Sequence, residues 1–214
     1  MRLPLLLALP AVLLTPPTVA AQCTKVGSER WDVKTSAPNG SRTRHAFTAA
    51  ELGALHEPPR IDEAGQKMLK TRYPDKLSLG LHEGDMVTVR GWVQLIKTSP
   101  DDCDYHIQLT PTKDGTTGTI IVEIPKADAD HVSDYALRGE LNAEHATILT
   151  QLKLAKEPGH VPIDGRAYME FKGALFFDGP HYPYCDRRGE GTKAVTCWEV
   201  HPVVSTRFVR KPAA

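Results

Sequence analysis

The sequence predicts a mainly β protein with one or two helices (α+β), built on a small five-stranded barrel, and three observations predict it. From Asp85 onward apolar residues alternate with polar ones, the period-two pattern of strands that bury one face. Two of these runs are joined by the turn residues Lys113-Asp114-Gly115, as in a hairpin. A stretch of good helix formers, from about Leu137 to Lys156, interrupts the strand runs and stops at Pro158-Gly159. Strand, strand, strand, helix, strand, strand is the order of an OB-type barrel, a sheet that closes on itself and leaves no exposed edge.

The elements follow in chain order. Thr48-Ala49-Ala50-Glu51 matches a capping box and predicts a short helix from Ala49 to about His56, stopped by Pro58-Pro59. A weaker helical stretch runs from Asp62 to Arg72, and the rest of the chain before Gly84 is irregular. Val87, Val89, Gly91, Val93 and Leu95 form one face of a long first strand, whose central glycine lets it bend. Tyr105, Ile107 and Leu109 face inward on the second strand, and Ile120, Val122 and Ile124 on the third, leaving His106 and Gln108 on an opposite, solvated face. The last two strands run from Arg166 to Phe177 and from Ala194 to Val209, with Phe171 and Trp198 directed into the core.

Residues 1–21 read as a cleaved secretory signal: Arg2, an apolar run from Leu3 to Leu14, and small residues around Ala20. Residues 22–83 then form an extension packing on the barrel, and residues 84–210 form the OB-like domain. No later run reaches the roughly 18 apolar residues of a membrane span. The expected location is secreted or periplasmic. Cys23, Cys103, Cys185 and Cys197 are an even set in an exported chain, which favours disulfides over a metal site or free thiols. Their spacing favours Cys185 with Cys197, closing a loop rich in Gly and Arg, and leaves Cys23 with Cys103.

Lys plus Arg and Asp plus Glu both number 26, so the chain lacks the basic excess that draws proteins to phosphate backbones, and nucleic acid is not an expected partner. Nucleophile and phosphate-loop motifs such as G-x-S-x-G are missing. No catalytic residue is assigned. With the hairpin turn at Asp114 and Gly115, His106 faces Glu123, as two metal ligands, an oriented acid/base pair or a solvated polar pair. Glu199 and His201 share a strand face, and Asp178 and His181 follow the neighbouring strand, so these four share one neighbourhood. Imidazole and carboxylate suit Zn, Mn or Fe, although hydrogen bonding of the two histidines to loop backbone accounts for the same residues. His106 and Glu123 are expected on the other side of the bent first strand, apart from this group. Trp92 is a candidate stacking platform, and Trp31 with Lys34 a surface binding pair or the means of docking the extension.

Short motifs run through most of the mature chain: Arg30-Trp31 with Val33-Lys34-Thr35, Asp104-Tyr105-His106, Val122-Glu123-Ile124-Pro125, Phe176-Phe177-Asp178 with His181, and Trp198-Glu199-Val200-His201-Pro202-Val203. With these the chain resembles a family of uncharacterised exported bacterial proteins with an OB-like barrel. The resemblance implies kinship and no particular chemistry, and the helix-rich insertion and cysteine pattern depart from the family's usual form. The leading expectation is a binding or accessory module whose partner is a small molecule, an oligosaccharide or a protein. A metal-dependent hydrolase of phosphodiesterase or esterase type using Asp178, His181, Glu199 and His201 is the alternative, and a structural envelope protein the third. A divalent metal is compatible with these residue types, but no cofactor is favoured.

Overall fold

The structure, a computed structural model, describes residue 23 and residues 30–56 and 70–212. The expected signal segment and most of the helical stretch from Asp62 lie outside the described residues. Its elements are α1 (Trp31–Lys34), β1 (His45–Thr48), α2 (Ala49–Gly53), β2 (Met86–Thr98), β3 (Tyr105–Thr110), β4 (Thr119–Ile124), α3 (Tyr135–Leu152), β5 (His160–Phe177) and β6 (Ala194–Phe208). The sheet order is β1-β2-β3-β4-β6-β5, and β2 also pairs with β5, which closes β2 to β6 into a barrel. Neighbours around the barrel are antiparallel except β4 and β6, which run parallel. The fold is thus mainly β with few helices, as expected, and α3 lies between the third and fourth barrel strands.

β2 is long enough to serve two neighbours on one side. Its first half pairs in parallel with β1, from His45 opposite Val87 to Thr48 opposite Arg90, and its second half pairs with β3. Gly91 sits where these partners change over, and a Cβ there would lie 3.1 Å from Ala49 Cβ, 3.1 Å from Leu109 Cβ and 3.2 Å from the Thr110 carbonyl. Four residues are too few for β1 to show an alternating pattern, so the sequence gives no sign of it. The capping box of α2 forms in full, with Thr48 Oγ1 accepting from the Glu51 amide and Glu51 accepting from the Thr48 amide.

β5 starts at His160, ahead of the expected Arg166. Pro162 and Asp164-Gly165 read as breakers in sequence, yet the backbone absorbs them as an irregularity in which both Asp164 (φ 52°) and Gly165 (φ 66°) turn left-handed. α3 is capped by the Asp134 side chain, which accepts from the Leu137 amide at 3.0 Å. It ends sooner than expected because Lys153 turns left-handed (φ 56°) and the Leu154 amide bonds back to the Leu149 carbonyl at 2.9 Å.

Val87, Val89, Val93, Ile107, Leu109, Ile120, Val122, Ile124, Phe171 and Trp198 are all buried in one apolar core, which Phe47, Leu52 and Tyr73 of the extension join. The opposite face of the hairpin departs from expectation. Gln108 is only 1% exposed and Ile121 likewise, because the β5–β6 connection, residues 178–193, folds across that face. Oriented to match the Glu190 backbone, the Gln108 amide donates to its carbonyl at 3.0 Å and accepts from its N–H at 2.7 Å. The connection is stapled at its root by Cys185–Cys197, and Cys23–Cys103 ties the N-terminus to the β2–β3 loop. These are the two pairings the spacing favours.

Val122→Ala is expected to lower the free energy of unfolding by about 1 to 3 kcal/mol in urea denaturation, through lost burial and a cavity. Gln108→Ala is expected to cost about 1 kcal/mol, since it leaves the Glu190 backbone without a partner. A Gln108 variant as stable as the parent would mean that this face is open to water.

Candidate functional site

The site begins with the anchoring of the N-terminal segment. Arg30 adopts a left-handed backbone (φ 65°) at the start of α1, and its buried guanidinium donates to both Glu83 oxygens, at 2.8 and 2.6 Å, and to the Phe177 carbonyl at 2.5 Å. Glu83 in turn accepts from the Phe177 amide at 2.8 Å. This pairing fixes α1 beside the end of β5. Trp31 Nε1 donates to the His131 carbonyl at 2.7 Å, so Trp31 docks the segment on the loop before α3. One turn on, Lys34 is directed into a cluster of charges on the covered outer face of the barrel.

Pleating and register supply the cluster. His106 and Glu123 are cross-strand partners on β3 and β4, and β6 runs parallel to β4 with Val200 opposite Val122, so Glu199 and His201 flank the same strip. His106 Nδ1 lies 2.7 Å from Glu123 Oε1, and an ionised carboxylate requires that the ring donate. His201 lies among three carboxylates: Nε2 is 3.4 Å from Asp104, and Nδ1 is 2.9 Å from Glu123 and 3.7 Å from Glu199. Lys34 Nζ stands 2.8 Å from Asp102, 3.3 Å from Asp104 and 4.0 Å from Glu123. From the covering connection, Arg188 contacts Glu199, lies 2.9 Å from Asp178 and 3.9 Å from Glu123. His181 Nδ1 lies 2.6 Å from Asp178 Oδ2.

Burial works against every charge here, and the outcome for each group depends on its neighbours. Burial lowers the Lys34 pKa, but Asp104, Glu123 and Asp102 outweigh it and hold the ammonium charged. Burial and Lys34 push His201 down, yet Asp104, Glu123 and Glu199 raise it to about 10. Glu123 goes the other way: against burial, His106 and His201 pull it well below the ordinary range. Glu199 is pushed up by burial, with Glu123 and Asp178 adding to the shift while Arg188 opposes it. Two neighbouring carboxyls are therefore driven apart. Burial also favours a neutral Asp178, but Arg188 and His181 prevail and keep it low.

All of these groups except the fully buried Asp104 line a cleft of about 600 Å³ between the barrel face, the β2–β3 loop and the 178–193 connection. His106, Glu123, Asp178, His181, Glu199 and His201 all border it, so the hairpin pair and the other four belong to one site, contrary to the expected separation. The reason is barrel closure and the covering connection: β6 pairs with β4, setting Glu199 and His201 beside Glu123, and the connection brings Asp178 and His181 over the same strip. Among the four candidate ligands, Asp178 and Glu199 are bridged by Arg188. Trp92 is not in this cleft and packs on Tyr168 with ring centres 5.0 Å apart. Matching this chain against known family models and curated proteins yields nothing. The assignment therefore rests on the geometry.

Sequence reasoning missed Arg188 and Asp104 as members of the site, and gave Lys34 a part in a surface pair or in docking the extension rather than in the charge cluster. The Arg-rich loop between Cys185 and Cys197 was the available signal for Arg188: a loop pinned at both ends carries its charges to a fixed place. Asp104 precedes the first residue of β3 and has no strand face of its own, so periodicity is silent about it.

The pKa of His181 is raised from 6.5, chiefly by its hydrogen bond to Asp178. A raised value means that protonation favours the folded arrangement: the contribution is complete below the ordinary histidine pKa and is lost as pH rises through the raised one. An NMR titration should therefore give His181 a midpoint above 6.5 that falls in Asp178→Asn. A midpoint unchanged by that substitution would break the assignment of the pair.

Proposed function

We propose that this chain is an exported, disulfide-stapled binding module that takes a small polar ligand in the cleft between the barrel face and the 178–193 connection. The observation that carries this is the cleft itself. It is bordered by the first strand-joining loop of the barrel, by β3, β4 and β6, and by the last loop, which is where OB-type barrels hold oligosaccharides and oligonucleotides. Its volume of about 600 Å³ lies within the range of small-molecule sites.

The charge pattern narrows the ligand. Lys34, Lys97, Arg187 and Arg188 are interleaved with Asp101, Asp102, Glu123, Asp178, Glu190 and Glu199 around the cleft, so a polyanion meets as much repulsion as attraction. A sugar unit or another small molecule with both hydrogen-bond donors and acceptors suits it better. The buried charges hold the frame, while His181, Arg187 and Glu190 are exposed at the mouth within reach of a ligand, with His181 bonded to Asp178 and Glu190 paired with Lys97 and His160. Each of the five motifs that carry the resemblance to exported bacterial proteins contributes a residue: Lys34, His106, Glu123, Phe176 with Asp178 and His181, and Glu199 with His201. Export is supported by the signal-like N-terminal run and by two disulfides that leave no free cysteine among the described residues. No helix among those residues is long and apolar enough to cross a membrane.

The test is an NMR and thermal-shift panel of neutral oligosaccharides, amino acids, polyamines and nucleotides against the purified chain. A ligand of mixed donors and acceptors should shift amide resonances at 99–102 and 178–190 and raise the melting temperature. The double variant His181→Ala, Arg187→Ala should weaken it by roughly tenfold or more, the loss of one or two charge-assisted hydrogen bonds. Shifts confined to other faces would overturn the assignment of the cleft.

A further inference from the structure

The geometry points to a divalent cation site at the edge of the cleft, formed by Glu123 and His201, which line it, and by the fully buried Asp104, and suited to an ion of the zinc or manganese type. It shares the cleft of the proposed function but stands on different residues from those at the mouth.

Three observations carry it. The first is convergence: each of these buried side chains offers one ligand atom, and the three atoms lie within 4.8 Å of one another. Zn–O and Zn–N bonds of about 2.0 to 2.2 Å place adjacent ligand atoms about 3.3 Å apart, which small side-chain rotations reach from there. The second is that the atoms facing each other are unsatisfied. Asp104 Oδ2 and both His201 nitrogens are fully buried with no aligned hydrogen-bond partner, although Lys34 stands 3.3 Å from that oxygen, Asp104 lies 3.4 Å from Nε2 and Glu123 2.9 Å from Nδ1, so that an ion takes one of the two ring nitrogens. Nearly all buried polar atoms have such a partner, and a group of them aimed at one another calls for a reason.

The third observation is how the rest of the network is arranged. Asp104 Oδ1 accepts from the Lys126 amide at 3.0 Å, and Glu123 Oε1 accepts from His106 at 2.7 Å. Each carboxylate is therefore oriented through one oxygen while the other faces His201, the outer-shell support that metal-ligating carboxylates usually have. Of the remaining cations, Arg188 has Asp178 at 2.9 Å together with Glu199, while Lys34 bonds Asp102 at 2.8 Å and also stands 3.3 Å from Asp104 and 4.0 Å from Glu123, so an ion here displaces it onto Asp102. That leaves two carboxylates and an imidazole, which balance a dication once the ring proton has passed to solvent in its place. Oxygen ligands with one imidazole favour Mn or Zn over soft-ligand metals.

The experiment is calorimetric titration of the chelator-treated, disulfide-intact chain with ZnCl₂ and with MnCl₂. One ion per chain should bind, and Asp104→Asn and Glu123→Gln should each weaken it by at least roughly tenfold. Glu51→Ala, in the capping box of α2 and away from the cleft, should leave it unchanged. Loss of the organic ligand with metal binding retained would then count against the proposed function alone, and the reverse against this site alone. Should either acidic variant fail to fold, Mn²⁺ broadening of the parent's NMR spectrum serves instead: it should centre on residues 104–106, 123 and 199–201. No saturable binding, binding that survives both substitutions, or broadening centred elsewhere would overturn the site.

Discussion

Charges taken out of water have to be met by other charges, and this constraint shapes the outer face of the barrel. Asp102, Asp104, Glu123, Asp178 and Glu199 stand there against Lys34, Arg188 and His201 under a loop that excludes most solvent. Each ion loses several kcal/mol of hydration on burial, which only close opposite charge restores. No part of the cluster is stable alone. The fold therefore brings in a helix from the extension for Lys34, a disulfide-pinned connection for Arg188, and the β2–β3 loop, β4, β6 and the end of β5 for the acids.

The covalent and ionic anchors make sense in that light. Cys185–Cys197 fixes the connection that carries Arg188, and Cys23–Cys103 fixes the loop that carries Asp102 and Asp104. Arg30 with Glu83 ties α1 to the end of β5, the point from which Asp178 departs. Such buried polar arrangements add little net stability compared with an apolar core and serve better to fix one geometry. A preorganised cleft in which His106 and His181 are each held by a carboxylate fits that purpose.

The barrel was legible in the sequence because the inner faces of β2 up to Val93, β3 and β4 alternate, and alternation reports burial on one side of a strand directly; past the irregularity at Val93–Leu95 it is Ile96, and not the expected Leu95, that joins the core. The same pattern misled about the outer face. Gln108 and Glu123 are polar, which reads as solvated, but a residue on a strand's polar face can be covered by a distant segment. The six His, Asp and Glu candidates were legible by residue type and by hairpin register. Their union was not, because it depends on β6 pairing with β4 across the barrel seam and on where residues 178–193 fold, and neither a strand partner nor a loop's path shows in periodicity. Arg188 illustrates this: its chemistry is plain in the sequence, while its partners Asp178 and Glu199 are known only once the connection is placed. β1 and the early start of β5 escaped for a different reason, the first being too short and the second broken by Pro162 and Gly165.

The central claim is that the covered face is a network of mutually dependent buried charges, and Arg188 with Asp178 tests it at one close pair. A double-mutant cycle in chemical denaturation, using Arg188→Met, Asp178→Asn and the combination, isolates their interaction from the other losses. The account predicts a coupling free energy of about 2 kcal/mol, because either single change leaves the other buried charge with one close partner fewer. Additive effects, within about 0.5 kcal/mol, would show the two groups to be separately solvated and would contradict it.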